Sequence, residues 1–268
     1  MSNMLKGALH IHSTFSDGEL SLGELREVYL AAGCRFACVT DHADWFEGEA
    51  GLAEYVARCA AHSDNRFIFI PGLEYPCTDR MHILGYGVTA PTGASDPEAV
   101  IGHITRNGGV SVIAHPKNSH FAVIERLSEL PQGLEVWNSK YDGRYAPRPE
   151  TFELLRRLRV RKPNLHAFYG QDLHWRTQYR QLYVQLALTE PSRDTVLSAL
   201  REGAFSGEKD GVHLPSTGVF PDAMLDEMAR THRRSERLRR LLKSAKRAAD
   251  RLGLSVPRRV KAHARRVM

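Results

Sequence analysis

Cysteine is scarce in this chain. Cys34, Cys38, Cys59 and Cys77 are the four in 268 residues, and all lie in the first third. None forms a C-x-x-C pair, which argues against a thiolate zinc site and for buried thiols in a reducing compartment. A redox pair of Cys34 and Cys38 is the weaker alternative. No apolar run approaches the roughly eighteen residues that a membrane span needs. The opening MSNMLKGALHIH lacks the long apolar core and small-residue cleavage site of a signal peptide, so a cytoplasmic location is expected. No internal repeat or low-complexity stretch breaks the body. What remains is an ordinary globular composition, 42% hydrophobic and 25% charged, with enough chain for one large domain or a domain plus an appendage.

The net charge of +6 hides a division. Between Arg230 and Met268 stand 15 Lys or Arg against 2 Asp or Glu, and the rest of the chain holds 22 against 29. A mildly acidic body carries a strongly basic tail. The expected division is 1–221 for the body and 222–268 for the tail.

Short apolar runs alternate with helical stretches along the body. LKGALHIH, FACVTDHA, RFIFIPGLEY, HILGYGV, VSVIAHP, GLEVWNS and LHAFYGQDLHW read as strands. SLGELREVYLAAGC reads as a helix that Ser21 caps and Gly33 ends, and Leu52 to His62, DPEAVIGHITRNGG and PETFELLRRLR read as others. Continuous apolar strands alternating with helices imply a parallel sheet covered on both faces, with a barrel favoured over an open sheet.

Histidine is plentiful, with 13 residues, and its placement is informative. His10 and His12 straddle Ile11 at the end of the first run, where strand alternation turns both to one face. Asp41 and His42 end the second, Glu74 the third; His82 opens the fourth; His115 ends a later one. Asp172 and His174 close the last. In parallel α/β folds the strand ends converge on one rim, where active sites sit. Buried imidazoles in such numbers are costly unless a cation takes their lone pairs. A metal cluster is the reading that fits them together. The remaining histidines (His62, His103, His120, His166, His213, His232 and His263) lack such placement, although His120 lies close enough to Lys117 to face a pocket.

The motifs HIHSTFSDG, VTDHA, PGLEY, MHILGYG, IAHP, LEVWN and GQDLH, in that order, resemble those of the polymerase-and-histidinol-phosphatase (PHP) family of metal-dependent phosphoesterases, across roughly Ala8 to Gly207. TVLSALREGAF is similar to that family's closing helix. The resemblance implies an α/β fold, a distorted (β/α)7 barrel with a basic C-terminal helical extension, and two or three divalent ions at one rim. It implies that His10, His12, Glu74 and Asp172 hold one ion, that Glu74 bridges to a second completed by His82 and His115, and that Asp17, His42 and His174 hold a third and serve catalysis. Asp41 is expected to orient a ligand histidine, or else to cap a loop. The last motif departs from the family's usual Gly-Ser-Asp-Ala-His: Gln171, Leu173 and Trp175 are bulkier neighbours.

Mixed imidazole and carboxylate donors suit Zn, Mn or Fe. The expected activity is hydrolysis of a small phosphate ester, such as a nucleotide, nucleoside bisphosphate or short oligonucleotide, by activated water. Hydrolysis of a non-phosphate ester or amide is the alternative. Lys117, Arg144 and Arg176 are the expected substrate-binding cations, with Arg80 weaker. In the tail, Leu238, Leu241, Leu242, Ala245, Ala248, Ala249 and Leu252 make an apolar stripe among basic residues, with Gly253 ending the helix. That helix either packs on the barrel or binds nucleic acid or an anionic surface through residues 230–268. A docking module is the reading from another class.

Overall fold

The computed structural model describes residues 4–251. The expectations for Leu252, Gly253, His263 and the end of the basic tail lie outside the described residues.

Seven strands stand side by side in chain order: β1 (Leu5–Ile11), β2 (Phe36–His42), β3 (Ile68–Pro76), β4 (His82–Tyr86), β5 (Val110–Ile113), β6 (Gly133–Asn138) and β7 (His166–Gly170). The residues after β7 run alongside β1 in the same direction. Gln171 N donates to Leu9 O at 3.0 Å, Asp172 N to His10 O at 2.7 Å, and His12 N to Leu173 O at 3.0 Å. These bonds bring the two ends of the sheet together, so the seven strands form a nearly closed barrel. Strands β2 and β6 are buried along almost their whole length, as strands covered on both faces must be.

Among the seven barrel strands the expectation of a parallel sheet fails at one. β4 runs antiparallel to both β3 and β5. Residues 77–81 are too few for the crossover that a parallel partner demands, so the chain must turn back on itself. Three further strands lie beyond β1: β8 (Leu182–Leu186), β9 (Phe205–Lys209) and β10 (Val212–Pro215), all joined antiparallel. The sequence reading missed them. Asp210-Gly211, with φ of 51° and 80°, is the hairpin turn that marks the last two.

Helices cover the sheet: α1 (Leu22–Ala31), α2 (Gly48–Ala61), α3 (Pro97–Arg106), α4 (Phe121–Arg126), α5 (Pro149–Leu158) and α6 (Arg193–Glu202). Ser21 caps α1 as expected. Its Oγ accepts from Glu24 N, while its own N donates to the Glu24 carboxylate at 2.9 Å. The left-handed φ of 77° at Gly33 lets the chain leave the helix. All four cysteines are buried and unpaired. Burial pushes the Cys34 and Cys77 thiols up to about 12, so neither is poised for redox chemistry.

The basic helix α7 (Asp222–Arg251) begins by packing Met224, Leu225 and Met228 against the core. Farther along, Leu238 and Leu241 are exposed at 41% and 68%. Of the expected stripe, Leu238, Leu241, Ala245 and Ala248 are exposed and Leu242 and Ala249 only partly buried, so the helix is held to the core by residues that precede the stripe. The polar side of α7 meets the barrel again through Arg239, whose Nη1 donates to Tyr141 O at 3.1 Å.

Losing the α1 cap leaves an amide at its first turn without its partner, so Ser21→Ala is expected to cost about 1 kcal/mol in urea unfolding. An unchanged midpoint would show that the capping box contributes nothing.

Candidate metal centre

The site forms where β1, β2, β3, β5 and β7 end. His10 does not reach it by plain strand alternation. The register between β1 and β2 slips between Ala8 and Ile11, and His10 has a left-handed φ of 58°. His115 and Asp172 are left-handed too, at 27° and 51°. Such backbone costs of the order of 1–3 kcal/mol per residue and persists where its surroundings impose it. Here the restraints are visible. Asp172 N is bonded to His10 O, and His115 N donates to Glu135 Oε2 at 2.7 Å. Irregular backbone at these positions turns three chemically active side chains inward.

Glu74 is the hub. Its carboxylate is 1% exposed, yet five imidazoles surround it. Oε2 lies 3.1 Å from His12 Nε2, 3.4 Å from His10 Nε2 and 3.4 Å from His42 Nδ1. Oε1 lies 2.7 Å from His82 Nδ1 and 3.1 Å from His115 Nε2. Asp172 stands opposite, with Oδ1 3.1 Å from His174 Nδ1 and 3.6 Å from His12 Nε2. Asp17 Oδ1 lies 3.1 Å from His174 Nε2 and 3.5 Å from His42 Nε2. All nine expected ligands are thus in one constellation.

Their donor atoms fall into overlapping groups that fit a cation: His10, His12 and Glu74; His10, His115 and Asp172; His42, Glu74 and His82; and His12, Asp17, His42 and His174. The electrostatics agree with the geometry. Burial drives His12 down to about 3, which keeps its imidazole neutral. Neither of its ring nitrogens makes a hydrogen bond among the described residues, nor does His115 Nδ1. Unmatched buried nitrogens of this kind are what a metal ion satisfies. Burial also opposes charge on His10, but Glu135, Asp172 and Glu74 overcome it and hold that imidazole well above its usual value. Burial likewise opposes ionisation of Glu74 and Asp172, and the surrounding histidines still keep both far below the carboxylate range. Two ionised carboxylates inside a ring of imidazoles attract a divalent cation, which would displace the His10 proton.

Behind the ligands stand residues that the sequence reading missed. Glu135 Oε1 is 2.8 Å from His10 Nδ1, and its Oε2 accepts from His115 N and from Asn138 Nδ2 at 2.9 Å. Asn138 Nδ2 also reaches Asp172 Oδ2 at 3.2 Å. The signal was present in LEVWN, which ends a strand as the other site motifs do. Asp41, by contrast, makes no bond to a ligand histidine. It accepts from Ser13 N, Ser13 Oγ and Ser16 Oγ at 2.8, 2.8 and 2.6 Å. That corrects the expected orienting role to its alternative, a cap on the loop that leads to Asp17. A short loop with three donors to satisfy takes the carboxylate first.

A cavity of about 610 Å³ opens beside the constellation, lined by Lys140, Tyr141, Trp175, Arg180, Arg239 and Lys243 among others. Lys140 connects the two. Its Nζ lies 3.1 Å from both Asp172 Oδ1 and His174 Nδ1. None of the expected cations is among the residues that line it. Lys117 is exposed on the loop after β5, where its amide meets His120 Nδ1. Arg176 pairs with Glu24 at 3.3 Å, and Arg144 lies over Tyr145. Arg80 sits in the turn before β4 with a φ of 58°. Of the bulky residues in GQDLHW, Gln171 is turned into the core, donating to Leu182 O at 2.7 Å, and Leu173 is buried against β1. Trp175 alone of the three faces the cavity.

No model of a known protein family matches the chain. A two-domain protein of Bacteroides vulgatus, containing a predicted PHP-like metal-dependent phosphoesterase, superposes with a TM-score of 0.57. It is 14% identical, and the match covers 79% of this chain and 66% of that one. The fold is PHP-like. This chain therefore spans just under two thirds of that PHP-like structure. An amidohydrolase from Chromobacterium violaceum aligns with a TM-score of 0.46 at 19% identity, over 72% of this chain and 96% of the other. In sequence, the chain is 40% identical over 48 residues to the DNA polymerase/3'-5' exonuclease PolX of Bacillus subtilis, which is 18% of this chain and 8% of PolX. Among the described residues, no helix is long and apolar enough to cross a membrane.

Both Glu135 oxygens accept hydrogen bonds, so an amide in its place satisfies only one side. Glu135→Gln is expected to weaken divalent-metal affinity by about 10- to 100-fold with the fold retained. Titration with a competing chelator measures this, and unaltered affinity would remove Glu135 from the site.

Proposed function

We propose that this protein is a metal-dependent phosphoesterase that hydrolyses a small phosphate ester. The observation that carries the reading is the Glu74 constellation itself: nine metal-ligating side chains at the strand ends, with buried, unmatched imidazole nitrogens, opening onto a cationic cavity. The PHP-like fold supports it.

In this reading His10, His12, Glu74 and Asp172 hold one ion, Glu74 with His82 and His115 a second, and Asp17, His42 and His174 a third. The number is two or three, and the donor set suits Zn, Mn or Fe. Bound divalent ions supply positive charge for the phosphoryl oxygens and make a water acidic enough to attack near neutral pH.

The protein's own groups do the rest. Glu135 fixes the His10 ring through its Nδ1–H. Lys140 projects its ammonium from beside Asp172 toward the cavity, where it steadies a phosphoryl oxygen. Of Asp17, His42 and His174, Asp17 is the open member, 37% exposed against 16% and 3%, so a proton from solvent water reaches a leaving oxygen there without crossing the core. The alternative chemistry, attack on a carbonyl, gives Lys140 no dianionic group to hold.

Phosphate release should be measured with the Mn-supplemented protein on nucleotides, sugar phosphates and short oligonucleotides. Turnover of at least one class is expected, with a chelator abolishing it. His12→Ala and His115→Ala should each lower kcat by about 100-fold or more while the protein stays folded. Full activity in either variant contradicts the assignment, and silence on every phosphate with turnover of a carboxylic ester replaces it.

A further inference from the structure

Helix α7 changes character along its length. Its first turns carry the acids Asp222, Asp226 and Glu227 and pack Met224, Leu225 and Met228 on the core. From Arg230 to Arg251 it holds ten Lys or Arg against Glu236 and Asp250, and residues 252–268 add five more with no acid. Arg230, Arg234, Arg237 and Arg240 are all exposed. So much like charge on one helix repels itself and attracts an anionic partner.

The apolar residues of this part do not face the barrel. Leu238, Leu241, Ala245 and Ala248 follow one another at intervals of three or four, so they share one side of the helix. All four are exposed. Arg234 and Arg237 stand four residues before Leu238 and Leu241 and continue the same side. Leu241 lies roughly 160° round the helix from both Arg239 and Lys243, and those two line the cavity beside the metal centre. Arg239 fixes that orientation. Its Nη1 donates to Tyr141 O at 3.1 Å and to Glu236 Oε1 at 3.0 Å, and an added Cβ at Gly143 would strike its guanidinium. One side of α7 is thereby held to the barrel, and the leucines are left facing solvent.

We infer that α7 docks this protein, by its Leu238 and Leu241 side, on the surface of an anionic lipid bilayer. Three occupants compete for a basic helix with an exposed apolar strip. Nucleic acid takes the charges but offers the leucines no apolar layer. A second copy of the chain covers the leucines but sets one arginine-lined side against an identical one. An anionic bilayer answers both features. A basic amphipathic helix lies in the interface plane with its apolar side among the acyl chains, while long arginine side chains reach back to the headgroups. Two leucines among alanines set a shallow depth, so the charges carry most of the affinity and docking is reversible. The helix is no span: among the described residues, none is long and apolar enough to cross a membrane. Docked this way, the cavity stands about 10 Å, one helix diameter, from the bilayer surface. Docking itself needs neither metal nor turnover.

The full chain is mixed with vesicles of phosphatidylcholine alone and with vesicles of phosphatidylcholine and phosphatidylglycerol, and bound protein is measured by sedimentation. Binding to the anionic vesicles should be tighter by about tenfold or more and should fall as salt rises. The double variant Leu238→Ser, Leu241→Ser should lose about tenfold in affinity for them, with an unchanged thermal midpoint because both side chains are exposed. Arg234→Glu combined with Arg237→Glu should lose about tenfold or more. Equal binding to both vesicle types, no binding to either, or anionic-vesicle binding untouched by the leucine variant overturns the inference. Tighter binding to a DNA duplex or a single-stranded RNA than to the anionic vesicles, unaltered in the leucine variant, overturns it in favour of nucleic acid. A dimer in analytical ultracentrifugation that the leucine variant dissociates overturns it in favour of a second copy. None of these readouts involves turnover, so failure here leaves the phosphoesterase reading untouched.

Discussion

The structure depends on one buried carboxylate that five imidazoles surround. Glu74 sits at 1% exposure, where an isolated carboxylate would prefer to be neutral. The histidines around it reverse that preference. They do so because each comes from the end of a strand, and barrel geometry brings those ends together. Its cost is backbone strain at His10, His115 and Asp172 and repulsion among crowded rings, such as His12 and His174 at 4.0 Å between centroids. A fold stabilised only by its core would gain nothing from such an arrangement. Bound cations would make it favourable, by matching the ring nitrogens and the carboxylates.

Support for the site is layered. Glu135 holds His10 and the His115 backbone together; Asn138 ties Glu135 to Asp172; Asp41 fixes the loop that delivers Asp17. Each link satisfies a buried polar group, so these supports are in place without metal. Beyond the network the surface changes character. Lys140 marks the boundary, touching Asp172 on one side and the cavity on the other. The constellation is confined to the strand ends, and the cavity beside it is walled by the loop after β6, Trp175 and helix α7.

Much of the metal centre was legible in the sequence. His10, His12, Glu74, His115 and Asp172 stood out because each ends an apolar run, and strand ends meet by topology alone. Glu135 was hidden because it lies within LEVWN, where a carboxylate between apolar residues resembles an outward-facing strand position. The direction of β4 followed from the short link of residues 77–81, which was visible but outweighed by the general pattern. The strands β8 to β10 are brief and partly polar, and only the Asp-Gly turn announces them. The cations that line the cavity were least legible. Lys117 and Arg176 adjoin ligands in sequence, yet neither lines the cavity, and Arg176 pairs with Glu24. Arg239 and Lys243 reach the cavity from far along the chain, and no local pattern encodes that packing.

The claim on which all of this stands is that the Glu74 constellation binds metal. Anomalous diffraction from crystals of the Mn-loaded protein tests it most directly. The account predicts at least two peaks, one of them shared by Glu74 and flanked by His10, His12 and Asp172. Manganese peaks confined to other parts of the surface, with the constellation empty under the same loading, would contradict it.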